Sequence, residues 1–363
     1  KKSEITCIHN PQKNILGIGE SSNIQLPKLL WDSVRYNPYL DGDELDLTHK
    51  FGVKFENWRE HNFFSPIAPN GFAVHFNNLK LSKVIFKKCS EVHKDRFKEL
   101  RGNIDNINQD NYSVKIKVDN KVLEYDYVVD CRGYPEDYSN YHILKSLPIN
   151  KCFAYTINKP GDWKHTYHKA HKNGWMFGIP LKTRQGWGYL FNDKITTEEE
   201  SLRDLSSIFK TTIKKTDVKE FKFNSYRAKN FLEGRIIKNG NRGLFYEPIE
   251  ALSGVFYDIV NRALWDLIMG GRDIDSVNEW LNDISLRYEN FICFAYHGGS
   301  IYKTKFWKKA VESTSKHLKN NDIWNQTIIS IEQDKEEHKY EWWPFLPYLW
   351  KHLNKTGYKY NYF

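Results

Sequence analysis

The sequence predicts an α/β fold on three observations. An apolar stretch ends in Asp130 and Gly133, a pattern typical of a strand that brings backbone to a cofactor at a sheet edge. The alternation typical of strands returns in three later segments, at 152–158, 175–181 and 186–192. From residue 273 onward the pattern is largely helical. Because no repeat or disordered linker separates these segments, we expect interleaved domains.

The composition indicates a folded protein that is rich in aromatic rings. The 363 residues are 40% hydrophobic and 27% charged, which excludes a disordered chain, and 15% are aromatic. Rings in that quantity fill a core and also suit a pocket that holds a flat organic substrate. The net charge of +9 is spread along the chain without a recognisable nucleic-acid-binding motif, so we expect no nucleic-acid partner.

Cysteine and histidine usage argues against a metal centre. The five cysteines are scattered and never form a C-x-x-C pair, which favours a reducing, cytoplasmic setting. His165, His168 and His171 are spaced like metal ligands, but no carboxylate or cysteine accompanies them, so we expect no metal. No apolar run reaches the roughly 20 residues of a membrane helix, and no signal peptide opens the chain. We therefore expect no membrane partner.

The remaining elements follow from local patterns. We predict a short buried strand at 5–8, and the spacing of Gly17 and Gly19 allows close backbone approach to a ligand. Four further predictions precede the middle of the chain: a helix at 26–36, a half-buried strand around 51–55, helical character over 78–100, and paired strands at 112–118 and 121–130. Later we predict a helix near 197–210, and within 243–270 a strand joined to a long apolar helix that spans 251–268 and has Glu250 at its start.

Two motifs near the N-terminus resemble those of flavin-dependent halogenases of the tryptophan-halogenase type. The stretch through Gly17, Gly19, Glu20 and Ser21 is similar to the G-x-G-E-[AS]-T strap, which in that family runs past the flavin toward the substrate chamber. Lys50 opens the stretch K-F-G-V-K-F-E-N-W, which is similar to the family strand K-x-x-x-K-F-x-N-W. The first lysine of the family strand is catalytic, so the resemblance implies a catalytic Lys50.

Two later motifs resemble the flavin turn and the active-site glutamate of the same family. Residues 130–134, D-C-R-G-Y, are similar to the family turn D-C-T-G-F at the flavin. Residues 240–251 resemble G-[DN]-A-x-x-F-x-[DE]-P-L-E-[AS], and they include Asn241. The last glutamate of that motif is the active-site residue, which the resemblance assigns to Glu250.

A further motif matches the halogenase signature W-x-W-x-I-P with one change. Trp175, Ile179 and Pro180 occupy their expected positions, and Phe177 stands in place of the second tryptophan. In the family this signature is thought to help keep the flavin from acting as a monooxygenase.

The resemblance implies an FAD-dependent monooxygenase-like fold. A Rossmann-type FAD module would comprise residues 1–150 and 230–272, interleaved with a mixed β-sheet substrate region at 151–229. A helical, substrate-covering region would follow at 273–363. Such FAD modules begin with a strand, a G-x-G-x-x-G turn and a helix. No such turn occurs in this sequence, so we expect the first βα unit to be absent from the chain.

The resemblance also implies the chemistry. Reduced FAD from a separate flavin reductase would react with O2 and halide, and the resulting hypohalous acid would reach a small aromatic substrate. Lys50 would hold the hypohalous acid, because a lysine ammonium donates three N–H bonds. Glu250 would position Lys50, stabilise the cationic ring and take its proton. The implied FAD-binding residues are Gly17, Gly19, Glu20, Ser21, Gly133 and Asn241, and the implied halide-binding residues are Leu252 and Ser253.

Two departures from the family pattern lead to expectations about halide preference and FAD affinity. Leu252 and Ser253 stand where tryptophan halogenases have Thr-Gly, and loss of that hydroxyl makes the halide site more apolar. We therefore expect bromide or iodide to be favoured over chloride. His9 and Asn10 follow the first strand where an acidic ribose ligand is usual, so we expect weak FAD affinity.

Two alternatives stay open at the level of sequence. A flavin-dependent monooxygenase of the same fold would hydroxylate its aromatic substrate, which Phe177 favours and the combination of Lys50 with Glu250 disfavours. A non-catalytic, basic and aromatic-rich binding protein would have lost flavin function. The aromatic cluster at 341–350 could line a pocket, although packing of a terminal helix is the simpler interpretation. A homo-oligomer also stays open.

Overall fold

The structure is a computed structural model that describes residues 3–13, 17–59, 62–67 and 72–332. These residues form seven α-helices: α1 (Gln25–Val34), α2 (Asn78–Val92), α3 (Glu198–Phe209), α4 (Leu252–Ile268), α5 (Ile274–His297), α6 (Lys305–Lys319) and α7 (Asp322–Glu332). No helix in this part of the chain is long and apolar enough to cross a membrane.

The strands of the described residues are short, and all of them lie before α4. They are β1 (Ile5–His9), β2 (Glu20–Ser21), β3 (Thr48–Lys50), β4 (Gly52–Glu56), β5 (Phe63–Pro66), β6 (Ala73–Phe76), β7 (Phe97–Arg101), β8 (Ile104–Gln109), β9 (Val114–Val118), β10 (Lys121–Tyr125), β11 (Val128–Asp130), β12 (Tyr141–Ile143), β13 (Lys151–Ile157), β14 (Thr166–His171), β15 (Gly174–Pro180), β16 (Gln185–Phe191), β17 (Lys219–Lys222), β18 (Tyr226–Ala228), β19 (Leu232–Glu233), β20 (Ile236–Lys238) and β21 (Leu244–Phe245).

A mixed seven-stranded sheet has the order β17-β13-β16-β15-β14-β4-β5. All neighbouring pairs are antiparallel except β14 and β4, which run parallel. Glycines make room for rings on the adjacent strand: a Cβ on Gly188 would lie 2.3 Å from the Phe177 ring, and one on Gly178 would lie 2.1 Å from the Trp187 ring. This close packing fixes how β15 lies against β16.

A smaller sheet of order β2-β6-β3 carries Lys50. Its central strand β6 is buried throughout and pairs antiparallel with both neighbours. His75 lies opposite Ser21 on one side and opposite Thr48 on the other. Because directly opposite residues of antiparallel strands share a face, these three side chains point the same way. Lys50 is two residues beyond Thr48 and shares that face.

A parallel pair of strands lies elsewhere in the fold. β11 runs parallel to β20, with Asp130 opposite Lys238, and β19 completes this sheet. The carboxyl ends of β11 and β20 therefore meet at one edge, as at the ligand-binding edge of doubly wound sheets. β1 and β7 form a separate parallel pair.

The helices contribute much of the hydrophobic core. Helix α5 is nearly all buried along its second half, where Tyr288, Ile292 and Tyr296 are each 0% exposed. The Asp273 side chain caps the start of α5 by accepting from the Ser276 N–H at 2.8 Å. The apolar face of α4 packs against α5 through Phe256 and the Tyr288 ring, 6.0 Å apart.

The α/β fold class is confirmed, and the corrections concern where elements end. The predicted helix over 78–100 stops at Val92, because residues 97–101 pair with β1. The stretch 121–130 is two strands, β10 and β11, which belong to different sheets. The first strand is not buried, since Ile5 is 62% exposed and β1 has β7 as its one neighbour among the described residues.

Two predictions about larger regions have different outcomes. Strands β4 and β5, from the predicted FAD module, complete the seven-stranded sheet of the predicted substrate region. That arrangement interleaves the two regions, while the domain boundaries themselves stay a prediction. The aromatic cluster at 341–350 lies outside the described residues.

Candidate active site

Lys50 ends β3 with a side chain that is 2% exposed. Its ammonium Nζ donates to the backbone carbonyl of Ser22 at 3.2 Å. Burial of an ammonium is costly unless hydrogen bonds replace its water, so a lysine with no specific role stays in solvent. Lys54 shows that contrast: it pairs with Glu56 at 2.7 Å, and its side chain is 37% exposed.

Two buried histidines lie within the electrostatic reach of Lys50. Desolvation lowers the pKa of His168 to about 3, and the charge of Lys50 adds to that shift. Desolvation also holds the pKa of His75 well below its usual value, with contributions from Lys50 and His165. Both imidazoles are therefore neutral at pH 7. The His168 ring packs edge-on against Trp175, with centroids 4.9 Å apart.

The segment 17–22, here called the strap, is clamped onto the seven-stranded sheet. Arg184 donates from Nη1 to the Ile18 carbonyl at 2.7 Å and from Nη2 to the Gly17 carbonyl at 3.0 Å. A Cβ on Gly186 would lie 2.1 Å from the same Ile18 oxygen, so the strap backbone rests directly on β16. Gly19 has φ +125°, a backbone conformation that favours glycine.

The carboxylate of Glu20, on the strap, interacts electrostatically with two tyrosines from other parts of the fold. Burial raises the pKa of Glu20 to about 7, and Arg184 opposes that shift. Burial is also the main cause that raises the pKa of Tyr134 and of Tyr257, and the Glu20 charge adds to both shifts. Tyr134 follows the turn after β11, and Tyr257 lies on α4. The predicted strap, flavin turn and active-site helix therefore come together around Glu20.

The carboxyl ends of β11 and β20 form what we call the cofactor edge. Gly133 follows β11 with φ +91°, and Gly240 follows β20 with φ +57°. A Cβ built on either glycine would meet no atom within 4 Å. Open space beside two left-handed glycines at neighbouring strand ends is suited to close approach of a ligand to backbone.

Asp130 braces the cofactor edge. Its carboxylate accepts from Arg132 Nε at 2.9 Å, from Arg132 Nη2 at 2.8 Å and from Arg242 Nε at 3.1 Å. Desolvation would raise the pKa of Asp130, but the hydrogen bonds and charges of these two arginines hold it below its usual value. Arg132, which departs from the family threonine, thus bonds to Asp130 within the turn after β11, and Arg242 ties that turn to residues after β20.

Asn241 connects the cofactor edge to α4. The Tyr257 hydroxyl donates to Asn241 Oδ1 at 2.9 Å, and the Tyr226 hydroxyl donates to the Asn241 backbone carbonyl. The Ser253 side chain hydrogen-bonds to Tyr257 from the first turn of α4. Asn241 and Ser253, predicted for FAD and halide respectively, therefore contact the same phenol.

Glu250 lies before α4 rather than within its first turn. It belongs to a short 3-10 helix, Ile249–Ala251, and Ala251 then adopts φ +54°. That left-handed residue separates the 3-10 helix from α4, so the predicted helix at 251–268 begins at Leu252. Leu252 is 1% exposed and packs into the main hydrophobic core, while Ser253 is half-buried.

The signature residues lie on one face of β15. Trp175, Phe177 and Ile179 alternate along the strand and all belong to the main hydrophobic core. The Trp175 indole N–H donates to the Tyr296 hydroxyl at 2.6 Å. Ile179 reaches the strap, because a Cβ on Gly19 would lie 3.3 Å from it. Pro180 ends the strand, and its carbonyl accepts from the Thr48 hydroxyl at 2.7 Å.

A groove of about 380 Å³ adjoins the strand of Lys50. Thr48 and His49 contribute to its wall from β3, and Tyr39 and Trp163 add aromatic rings. The Tyr39 and His49 rings are nearly parallel, with centroids 6.3 Å apart. The groove thus combines flat rings with polar groups, a surface suited to an aromatic ligand.

The three closely spaced histidines do not converge. They lie on or next to β14, where a spacing of three residues turns neighbouring members to opposite faces. His171 Nδ1 does lie 2.9 Å from Asp204 on α3, a carboxylate that spacing in sequence could not reveal. Within the described residues, no group of three or more His, Cys, Asp or Glu side chains could hold a metal ion.

Sequence reasoning missed several residues of this site. His75 and Thr166 carried no motif signal, and His75 lies in a strand whose other residues are apolar or aromatic. A polar residue inside a buried strand was the one available signal, since such a group needs a partner. Tyr257 was likewise hidden within the apolar periodicity of α4.

Comparisons with known proteins show the family of the chain. The tryptophan halogenase family model matches residues 61–344, which is most of the chain. The tryptophan 7-halogenase RebH of Lentzea aerocolonigenes is 24% identical over 160 residues, covering 41% of this chain and 29% of that protein. The tryptophan 6-halogenase ThaL of Streptomyces albogriseolus is 21% identical over 204 residues, covering 52% and 38%. The matches thus span well under half the length of these relatives.

Solved structures show the same fold. A tryptophan halogenase from Shewanella frigidimarina superposes with a TM-score of 0.75 at 17% identity, covering 99% of this chain and 83% of that one. The tryptophan 6-halogenase SttH of Streptomyces toxytricini gives a TM-score of 0.75 at 17% identity, covering 96% and 84%. The expected monooxygenase-like halogenase fold is confirmed by these likenesses. By its family match, the chain belongs to the tryptophan halogenase family.

Proposed function

We propose that this chain is a flavin-dependent halogenase that acts on an electron-rich aromatic substrate, with Lys50 as its catalytic cation. The observation that carries the proposal is the buried ammonium of Lys50, which donates to the strap carbonyl of Ser22. The same strap carries Glu20, whose charge is felt at Tyr134 beside the cofactor edge. A cation held at the far end of the strap can polarise an electrophile produced at that edge.

FAD fits the cofactor edge. The open space at Gly133 and Gly240 would admit close approach of a flavin to the backbone, and Asn241 lies between them and α4. Gly17, Gly19, Glu20 and Ser21 would contact it from the strap. When bound, reduced FAD would supply with O2 the oxidising equivalents that convert halide to hypohalous acid. We propose a separate flavin reductase as the transient partner that delivers it.

Lys50 would hold the hypohalous acid for the ring. An N–H of its ammonium donates to the oxygen, which polarises the oxygen–halogen bond toward a positive halogen. A ring carbon would then form its bond to halogen as the oxygen–halogen bond breaks, and the hydroxide that leaves would take a proton from the Lys50 ammonium to become water. Because His75 and His168 are neutral, they leave Lys50 as the positive charge of the chamber.

Glu250 is proposed as the base that completes substitution. After the halogen adds, the ring is cationic and must lose a proton from the same carbon. A carboxylate just before α4 is favoured by the partial positive charge at the start of that helix. A proton transferred to Glu250 would restore the aromatic ring.

The halide would bind at the start of α4. This 17-residue helix has no side-chain N-cap, and the Ser253 hydroxyl lies in its first turn. Free N–H groups at a helix start suit an anion. Since Leu252 turns into the hydrophobic core, the site lacks a second hydroxyl, and we propose a preference for bromide or iodide.

The groove beside β3 supports an aromatic substrate. Its rings, Tyr39 and Trp163, could stack on a flat molecule within a volume of about 380 Å³. Indoles, phenols and larger aromatics all meet this requirement, so the proposal is limited to that class.

Product mass tests the proposed function. The protein is incubated with FAD, NADH, a flavin reductase and a panel of small aromatics, with chloride, bromide and iodide at equal concentration. We expect a halogenated product, with bromide or iodide dominant over chloride. A product with one added oxygen and no halogen would establish the monooxygenase instead. Undetectable FAD binding by fluorescence titration of the full-length protein would favour the non-catalytic binding protein.

A further inference from the structure

A chain of hydrogen bonds with a buried centre runs from the strap to the end of the signature strand. Ser21 Oγ lies 3.1 Å from Thr166 Oγ1, and Thr166 Oγ1 lies 2.9 Å from His75 Nε2. On the other side of the ring, His75 Nδ1 lies 3.2 Å from Thr48 Oγ1, which donates to the Pro180 carbonyl at 2.7 Å. His75 is 0% exposed and Thr166 is 4% exposed, so water does not replace these partners.

The Pro180 carbonyl, as the last acceptor, determines which group donates in each hydrogen bond of the series. A carbonyl only accepts, so the single hydroxyl hydrogen of Thr48 is committed to Pro180. Thr48 Oγ1 must then accept from His75, which requires a hydrogen on Nδ1. A neutral imidazole with its hydrogen on Nδ1 has an acceptor at Nε2, and the Thr166 hydroxyl donates to it. Ser21 completes the series by donating to Thr166.

This chain of hydrogen bonds joins two sheets at the place where Lys50 is held. Ser21, His75 and Thr48 belong to the three-stranded sheet, whereas Thr166 and Pro180 belong to the seven-stranded sheet. Thr48 is two residues before Lys50 on β3. Ser21 precedes Ser22, the strap residue whose carbonyl accepts from the Lys50 ammonium. The His75 imidazole is therefore hydrogen-bonded to the strand that bears Lys50. Through Thr166 and Ser21, it is also linked to the residue next to the carbonyl that accepts from Lys50.

We infer that His75 is a positioning residue, which as a neutral Nδ1–H imidazole holds the strap and the Lys50 strand in one register against the signature strand. This inference rests on the proposed function, because the register matters for delivering an electrophile to Lys50. His75 itself touches neither substrate nor cofactor in this account. Its loss would let the strap and β3 shift relative to each other, so that oxidant formed at the cofactor edge escapes before reaching the ring.

The tautomer is measured directly and without any assay of activity. Imidazole nitrogen shifts of the histidine-labelled full chain identify which nitrogen bears hydrogen, with His75→Gln providing the assignment. We expect Nδ1–H and an unprotonated Nε2 from pH 6 to pH 8. Thr48→Val removes the acceptor of Nδ1–H and should favour Nε2–H, whereas Thr48→Ser keeps the hydroxyl and should preserve Nδ1–H. An imidazolium, or an Nε2–H tautomer in the unaltered protein, would overturn the inference.

The functional consequence is measured as coupling, the ratio of halogenated product to released hypohalous acid plus hydrogen peroxide. His75→Phe keeps a flat ring and removes both hydrogen bonds, and we expect coupling to fall about tenfold, the scale expected for small misplacements of reacting groups. Thr48→Val and Thr166→Val should also lower coupling, and the matched Thr48→Ser and Thr166→Ser variants should retain it. The KM for substrate should change little in His75→Phe and in the two Thr166 variants, because neither residue lines the groove proposed for the substrate.

The tautomer and coupling measurements distinguish failure of the positioning role of His75 from failure of the proposed function. Equal coupling in the valine and serine variants would overturn the positioning role even if His75→Phe fails to fold. If the unaltered protein makes no halogenated product, the proposed function fails, and the tautomer shifts still decide how His75 is bonded.

Discussion

Glu247 lies three residues before Glu250 and is 1% exposed. Burial raises its pKa to about 8, although the Tyr296 hydroxyl opposes that shift. The same hydroxyl accepts from the Trp175 indole, so Glu247 lies near the signature strand. In the folded protein Glu247 is mostly protonated at neutral pH, whereas an unfolded glutamate with the ordinary pKa of 4.5 is ionised.

This difference predicts a pH dependence of stability. Because the folded pKa is raised, the favourable contribution of Glu247 is complete below pH 4.5 and is lost as the pH rises toward 8. Glu247→Gln should remove that loss, so the variant gains stability relative to the unaltered protein on the order of 3 kcal/mol at pH 7 and little at pH 4.5. Denaturant unfolding at pH 4.5, 7 and 8 measures the difference, and a constant gap between the two proteins would contradict it.

Some residues of the site could be predicted from the sequence and others could not. Lys50 was found because a motif surrounds it, and the structure does bury it beside the strap. His75 was not found, because its partners Thr48 and Thr166 lie 27 and 91 residues away along the chain. Glu250 was found by motif alone, and its role stays a proposal.

The strap depends on the glycine beneath it. A Cβ on Gly186 would lie 2.1 Å from the Ile18 carbonyl oxygen, which is a backbone atom and cannot rotate away. Arg184 holds that carbonyl and its neighbour from the side. Any side chain at position 186 must therefore lift the strap from β16.

We expect Gly186→Ala to weaken FAD binding by about tenfold or more, on the scale of misplaced binding groups. The physical reason is displacement of Gly17, Gly19 and Glu20 from the cofactor edge. Gly271→Ala is the matched control, because its Cβ would meet the Asp266 carbonyl at an ordinary 3.5 Å. Fluorescence titration of FAD measures both variants, with thermal unfolding as the check on folding. An unchanged FAD affinity in Gly186→Ala would show that the strap does not contribute to FAD binding.

Elements were predicted well where a single periodicity extends over the whole segment. Strands β13, β15 and β16 and helix α3 lie within a residue or two of their predicted positions. The failures have two causes, which are pairing with a partner far along the chain and a local change of backbone conformation. The helix over 78–100 ends early because residues after it pair with β1, and α4 starts late because Ala251 turns left-handed after a 3-10 helix.

At the scale of the whole molecule, the proposed site is built from three separate sheets. The three-stranded sheet carries Lys50, the seven-stranded sheet supports the strap, and the parallel pair β11 and β20 forms the cofactor edge. The order of strands in these sheets could not be derived from periodicity, since β4 pairs in parallel with β14, more than a hundred residues later. The resemblance to halogenases supplied the fold expectation instead, and likenesses to solved halogenase structures bear it out.

The central claim is that the buried ammonium of Lys50 is required for halogenation, and one pair of variants tests it most directly. Lys50→Met keeps an unbranched side chain in the core and removes the charge, and Lys54→Met makes the same change at a more exposed lysine of the neighbouring strand. FAD titration and thermal unfolding confirm that both variants fold and bind cofactor. We predict that Lys50→Met loses halogenated product at least about 100-fold while still releasing oxidant, and that Lys54→Met retains it. Halogenated product from Lys50→Met at the level of the unaltered protein would contradict the account.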